Sequence, residues 1–368
     1  MFGREAIVGI DIGSSTVKAV EVEQHGAGWR VVNAAMEPMP PGSCRDGVIT
    51  NVEEVAQTVR SVLKAAECRA TEAVTAVSGS QVIVRQVQFP KMTEFALRKS
   101  IKFEASKFIS APIEESVVEF EILGDTEDVG QMSVMLVAAP KDMIESRVRV
   151  LELAGVDPIA VDVEAFALLR SLVQMRPDCP GYDRAVALVD MGASHTDVNI
   201  VCRGEFALTR NIPIAGDSFT NSIRSVFNVA MDEAERMKRE MTITGEGSPN
   251  PGDGENRLWR AVQPLMEELL REIRRSINFH QSQYPEGSEQ AQIERILLSG
   301  GSALIQGIGE HFTQKLGIPA EVADVFSDSV VSTGGLSPEF ALRYAPMLAV
   351  VLGLALKEQR PAQLAKAA

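Results

Sequence analysis

The chain has 368 residues, 45% of them hydrophobic and 23% charged, and a net charge of −14. That length and composition supply roughly two to three domains with substantial cores and exclude a disordered or fibrous chain. The charge repels nucleic acid and anionic lipid unless a local patch opposes it, so a small ligand or a protein partner is expected instead.

In chain order, residues 6–10 form a continuous apolar run, the pattern of a strand covered on both faces. Residues 17–23 and 29–35 follow at hairpin spacing. Asn51 caps a helix, with Glu54 three residues on and Val52, Val55, Val59, Val62 and Leu63 along one face. Residues 73–77 read as another buried strand. Residues 1–77 thus make a first core subdomain, to which 158–184 and 346–368 return. Residues 78–157 build an inserted subdomain. It has strands at 82–89, 117–123 and 132–139, a helix at 93–108, and a helix at 141–154 ending at Gly155. Residue 161 then leads into a helix at 164–173.

The second half repeats the plan. Strands at 185–190, 196–202 and 206–213 precede helices at 216–228 and 232–241 and a polar stretch, 244–256, expected to be a mobile loop. A long amphipathic helix at 258–283 leads to a strand at 293–298, a helix at 304–316 and a last apolar helix at 346–356, expected to pack back across the domain junction. Residues 185–215 with 291–345 are the expected second core subdomain, and 216–290 its smaller companion.

Cys44, Cys68, Cys179 and Cys202 make no CxxC pair, which fits a reducing compartment and neither a zinc site nor a disulfide framework. The N-terminus shows no signal-peptide pattern, and the apolar run 347–356 is too short to span a bilayer. A soluble cytoplasmic protein is expected.

Two segments match across the halves. Ile10-Asp11-Ile12-Gly13-Ser14-Ser15-Thr16-Val17-Lys18 and Val189-Asp190-Met191-Gly192-Ala193-Ser194-His195-Thr196-Asp197 each run from apolar residues through Asp, a spacer and Gly into two small residues, 179 positions apart. A strand turning through Gly13 presents the backbone N–H groups of Gly13, Ser14, Ser15 and Thr16, which cradle phosphate oxygens. Gly192, Ala193 and Ser194 offer the same in the second half. Lys18 is placed to reach those oxygens. Asp11 and Asp190 would be repelled by phosphate, and their expected role is to hold Mg²⁺. Either turn alone is also what an ordinary β-hairpin shows.

Ser299-Gly300-Gly301-Ser302 lies between a strand and a helix. Gly300, Gly301 and Ser302 would let a flat base approach the backbone, or simply form a βα loop. Glu235 and Lys238, one helical turn apart, could reach a ribose or pair with each other. Glu164 opens the helix after the insert, where it could orient water toward a γ-phosphate or stabilise the helix dipole. No GxxxxGK[ST] occurs, and no GxGxxG follows a strand.

These residues together resemble the actin-like ATPase superfamily. Residues 11–18 look like its first phosphate motif, 190–197 its second, 297–302 its adenosine motif and 234–238 its nucleotide-contacting helix. The resemblance implies a duplicated α/β actin-like ATPase fold with nucleotide in the interdomain cleft and an FtsA-like inserted subdomain in the first half. Other segments are similar to the PilM family of type IV pilus assembly: residues 11–15 with Val17, Lys18 and Glu21, then Ser100-Ile101-Lys102-Phe103-Glu104-Ala105, Pro112-Ile113-Glu114-Glu115, Val137-Ala138-Ala139-Pro140-Lys141 and 162–168. That likeness implies binding of ATP and Mg²⁺ and of the short N-terminal cytoplasmic peptide of a PilN-like inner-membrane protein, in a groove between the insert and the 51–77 layer. It also implies links to the pilus platform and motor. Glu164, Asp190 and Asp11 would carry any slow hydrolysis. The side chains of Thr16 and His195, where related chains vary, receive no role.

Two other readings share the fold. An FtsA-like division protein would end in an amphipathic membrane helix, whereas residues 357–368 hold a Pro, one Leu and no aromatic residue. A small-molecule kinase would need a base and polar substrate contacts that the sequence does not offer. Membrane association is therefore expected to be borrowed from the partner. Self-association stays open.

Overall fold

The computed structural model of the chain describes residues 7–357, apart from 27, 46, 110–111, 127, 177–183, 244–252, 286 and 328–329. Cys179, the tail 358–368 and most of the expected loop lie outside the described residues.

The first half opens with an antiparallel meander, β1 (Ile7–Ile12), β2 (Thr16–His25) and β3 (Gly28–Pro38), followed by the short pair β4 (Cys44–Arg45) and β5 (Val48–Ile49). Helix α1 (Val52–Ala65) starts where the sequence says it should: the Asn51 side chain accepts from the Glu54 N–H. Val55, Val59 and Val62 face inward, and β6 (Glu72–Val77) returns parallel to β1. The insert comprises β7 (Ile83–Pro90), α2 (Glu94–Ala105), β8 (Ser116–Asp125) and β9 (Gln131–Pro140), its sheet ordered β7-β9-β8. Leu97, Ile101 and Ala105 of α2 share a core with Phe89, Met132, Val134 and Leu136.

Helix α3 (Lys141–Ala154) ends at Gly155 in the left-handed conformation, as expected. Its packing differs from the expected boundary. Val150 and Leu151 share a core with Val55, Val59 and Val62 of α1, so α3 belongs with the first layer. A strand not anticipated, β10 (Asp157–Val163), then pairs parallel to β6. Pro158 and Asp157 obscure its apolar pattern. Helix α4 (Glu164–Leu169) gives way to a π turn at Arg170–Gln174 rather than continuing as α-helix.

The second half holds β11 (Ala185–Met191), β12 (Thr196–Cys202), β13 (Glu205–Ile212), α5 (Gly216–Phe227), α6 (Met231–Arg239), α7 (Asp253–Gln281), β14 (Ile293–Ser299), α8 (Ile308–Leu316) and β15 (Ala320–Val322). Helix α7 begins five residues before the expected start, inside the stretch read as loop. Strand order is β3-β2-β1-β6-β10 in the first half and β13-β12-β11-β14-β15 in the second. The same order, sense by sense, shows the duplication that the paired turns imply.

The chain then crosses back. β16 (Val331–Ser332) adds parallel to β3, α9 (Pro338–Tyr344) follows, and α10 (Ala349–Ala355) is wholly buried. By length and composition alone the apolar run Pro338–Ala355 would reach across a bilayer. Here α10 lies instead on β1, so tightly that a Cβ on Gly9 would sit 2.4 Å from the Val351 carbonyl oxygen. One core spans both halves, joining Leu168, Leu172 and Leu354 to Leu188, Val201 and Phe206. Phe166 of α4 meets Phe206 edge-on at 5.2 Å.

Candidate functional site

Both turns close in the same way. The Gly13 N–H donates to the Thr16 carbonyl and the Gly192 N–H to the His195 carbonyl, each at 3.1 Å. The first N–H of each expected cradle is therefore spent inside the turn. The exposed positions are Ser14 and Ser15 on one side and Ser194 on the other. The turns face each other, with the Ser14 and Ser194 hydroxyls 2.8 Å apart.

The strand register places Asp11 opposite Lys18 and Asp190 opposite Asp197. Lys18 donates to Asp11 at 2.6 Å, and both side chains are largely buried. Burial alone would lower the Lys18 ammonium. Asp11, by charge and hydrogen bond, with Asp190 and Glu164 beyond, holds it above its ordinary value. Asp190 accepts from the Ser299 hydroxyl at 2.7 Å. Burial pushes its carboxyl up to about 6, against the pull of that bond.

Glu164 enters from α4. Its carboxyl is raised by burial and by Asp11, with His195 opposing. His195 places Nδ1 2.9 Å from the Ser194 hydroxyl and Nε2 3.2 Å from Asp197. Burial would lower this imidazole, but Asp197, by hydrogen bond and charge, raises it. One donor atom from each of Glu164, His195 and Asp197 lies within 4.8 Å of the others. Asn211 completes the line, donating to Asp197 at 2.8 Å, and behind it a cavity of about 250 Å³ opens between β7 and β13.

The remaining expected residues gather on the second turn. The N-terminus of α5 abuts it: the Gly216 N–H donates to the Gly192 carbonyl at 3.1 Å and the Asp217 N–H to Ala193 at 2.8 Å. Ser302 donates to the Gly192 carbonyl at 3.2 Å. Lys238 reaches the Gly216 carbonyl at 3.2 Å and pairs with Glu235 at 2.7 Å. Glu235 also accepts from Thr220 and Arg239. So Glu235 and Lys238 do form the local ion pair, and it stands beside the second turn. Gly300 has φ +85°, and a Cβ there would lie 2.5 Å from the Met191 carbonyl oxygen. Gly301 has open space by comparison, its nearest neighbour being the Met347 methyl at 3.9 Å.

Sequence reasoning missed four contributors: His195 and Asp197, quoted without a role, Gly216, and Arg147. Arg147 is 2% exposed and donates to the Gly47 and Met143 carbonyls. Burial lowers its guanidinium, while Glu164, Cys44 and Asp11 act the other way. An arginine on the apolar face of the 141–154 helix was the signal.

The donors suit a magnesium nucleotide. Asp11 and Asp190 are hard oxygen ligands of the kind Mg²⁺ takes, and Lys18 with the serine turns suits phosphate. A Cβ at Gly216 would meet the Ser302 hydroxyl, the Lys238 ammonium and the Gly192 carbonyl at 2.9–3.2 Å, so the start of α5 packs closely on the second turn.

The chain is similar to the solved "PilM-PilN type IV pilus biogenesis complex" at 29% identity and a TM-score of 0.82, covering 96% of this chain and 99% of that one. It is 26% identical over 379 residues to the cell division protein FtsA of Pseudomonas aeruginosa, covering 89% of this chain and 87% of that protein. The ethanolamine utilization protein EutJ of Carboxydothermus hydrogenoformans shares the fold at 16% identity and a TM-score of 0.58, covering 96% and 90%. The fold is that of the actin-like ATPases. The family model for the type IV pilus assembly protein PilM matches residues 9–359, so the chain belongs to the PilM family.

Proposed function

We propose that this chain is a nucleotide-gated binding module of type IV pilus assembly. It takes Mg-ATP between its two turns and the N-terminal cytoplasmic peptide of a PilN-like inner-membrane protein at its first half. The observation that carries the reading is the likeness to a PilM–PilN complex over nearly the whole of both chains. Through that peptide the protein would sit at the cytoplasmic face of the inner membrane, within reach of the platform and motor.

In the cleft, Lys18 would contact phosphate oxygens while Asp11 and Asp190 hold Mg²⁺, directly or through water. Gly300 would bring the backbone against the adenosine. The metal, when bound, neutralises phosphate charge. Residues 13–18 belong to one half and 192–197 to the other, so a ligand held by both sets the angle between them. Hydrolysis is expected to be slow. Glu164 is the group expected to orient water, and no residue is assigned the part of an arginine finger that would stabilise the transition-state charge. Steady-state phosphate release near the ordinary enzymatic rate of about 10 per second would contradict a gated binding module.

A hollow of about 580 Å³ between β5, the start of α1 and α3 suits the peptide. Val48, Ile49, Val52 and Val148 offer apolar surface, and Asp142, Glu145 and Glu152 leave the rim net negative against Arg149, which pairs with Glu152 at 3.4 Å. A disordered peptide would be ordered there by a few apolar anchors and backbone hydrogen bonds, helped by a basic residue. The test is fluorescence anisotropy with the N-terminal cytoplasmic peptide of a PilN-family protein. Binding is expected in Mg-ATP and should weaken at least about tenfold in Val52→Asp, one lost apolar anchor being worth that much. No binding in Mg-ATP would sink the reading. An FtsA-like division role, which the 26% likeness supports second, would instead give firm, salt-resistant recruitment to membranes that the peptide does not change.

A further inference from the structure

Helix α2 turns two phenylalanines to solvent. Phe95 is 70% exposed and Phe103 72%. They stand eight residues apart, roughly 12 Å along the axis, on the side opposite the buried Leu97, Ile101 and Ala105. Helical spacing puts Lys99 between them, with Lys102 and Ser106 alongside and Lys107 just beyond the helix. The Lys99 ammonium lies 4.1 Å from the centre of the Phe95 ring, and that of Lys107 5.8 Å from the Phe103 ring. The acidic residues of this helix fall on its flanks and are paired: Glu94 with Arg98 at 3.0 Å, Glu104 with Lys107 at 2.5 Å. Arg98 also meets Glu119 of β8 at 4.0 Å. In a chain of net charge −14, this outward face carries aromatic rings and cations, with the Glu104 carboxylate at its edge bound to Lys107.

The pattern is not that of a helix made for a protein groove. Such helices place apolar anchors at i, i+3, i+4 and i+7, and here, counted from Phe95, Arg98, Lys99 and Lys102 stand where those anchors would be. Two separated aromatic rings with ammonium groups reaching past them match a lipid interface. There the rings enter the boundary between headgroups and acyl chains, and the lysines meet phosphates. A bilayer, unlike a folded partner, needs no complementary pocket to accept such a face.

We propose that the outward face of α2 rests on an anionic lipid bilayer, Phe95 and Phe103 inserting at the interface and Lys99, Lys102 and Lys107 contacting lipid headgroups. A single short helix with two rings holds a membrane weakly, and stable anchoring takes two signals. The second signal is the PilN-like peptide, and to that extent the proposal rests on the function proposed above. The two contacts together would orient the insert toward the membrane.

The test is flotation of the full chain with vesicles of phosphatidylcholine alone or phosphatidylcholine with phosphatidylglycerol, each bare or displaying the lipid-anchored PilN-like peptide. Bare anionic vesicles are expected to bind the chain weakly, with the binding lost in high salt, and neutral ones not at all. With the peptide displayed, anionic lipid should tighten recruitment roughly tenfold over neutral lipid. The double variants Phe95→Ser/Phe103→Ser and Lys99→Glu/Lys102→Glu should each abolish that gain while leaving the melting temperature and the affinity for soluble peptide unchanged. Equal binding to both lipids, or a gain that survives both variants, overturns the proposal. If peptide-bearing neutral vesicles recruit nothing, the peptide reading fails, and the bare-vesicle arm still decides the role of α2.

Discussion

The hydroxyls of Ser14 and Ser194 lie 2.8 Å apart, so the two matching turns touch across the line that relates the halves. From there a run of polar contacts passes through His195 and Asp197 to Asn211 on β13. A triphosphate gripped by both turns would have to part them. In a Ser14→Cys/Ser194→Cys variant a disulfide between these positions is expected under mild oxidation, identified by peptide mass spectrometry. Mg-ATP should slow its formation severalfold, while Mg²⁺ alone should not. Crosslinking at the same rate with and without Mg-ATP would place the nucleotide elsewhere.

Lys18 has two tasks, and they can be separated. Lys18→Ala should weaken Mg-ATP binding about tenfold or more, the loss of one charge-assisted contact. It should also leave the Asp11 carboxylate buried without its partner, at a cost of about 3–5 kcal/mol. Asp11→Asn/Lys18→Met removes both charges and should recover most of that stability but none of the binding. Calorimetry and thermal melts on the two variants decide it. Wild-type ATP affinity in both would remove this pair from the site.

The neighbouring glycines of the 299–302 loop should respond differently. Gly300→Ala puts a side chain at φ +85° and drives its Cβ into the Met191 backbone. A loss of at least about 1–3 kcal/mol follows from the conformation alone, and the second turn shifts with it. Gly301→Ala meets open space and should melt within a degree or two of wild type. Equal effects of the two substitutions on melting temperature would contradict this geometry.

Stability of the metal-free protein should fall as pH rises. Glu164 is raised by burial and by Asp11. His195 is raised by Asp197 against its burial. Both groups hold protons more tightly folded than unfolded. Their contribution is whole below the unfolded values and is lost as pH rises through the raised folded ones. With chelator present, the melting temperature should drop by a few degrees between about pH 5 and about pH 9. Glu164→Gln should flatten the lower part of that slope and His195→Gln the upper part. A flat or rising curve for the wild-type protein would show that these groups are not coupled as the geometry has them.

What the sequence determined by itself is what short-range chemistry encodes. Asn51 with Glu54 starts α1, Gly155 ends α3, and the apolar run before Asp11 makes a buried strand, because capping, left-handed glycine and a continuous apolar run each involve residues a few positions apart. The duplicated Asp-x-Gly turns were legible for the same reason, and with them the fold and the family. The tertiary structure alone decided which side chains share the cleft. Arg147 comes from α3, Glu164 from α4 and Ser299 from β14, and they approach Asp11 and Asp190 only because the two sheets adopt one strand order and α10 seals their joint core. It also assigned α3 to the first layer and revealed β10, whose pairing with β6 outweighs its weak local pattern. The charges within the cleft followed the same rule. Lys18 with Asp11 and His195 with Ser194 and Asp197 are close in sequence, but the burial and the charges of Glu164 and Asp190 that help set their protonation states come from the folded chain.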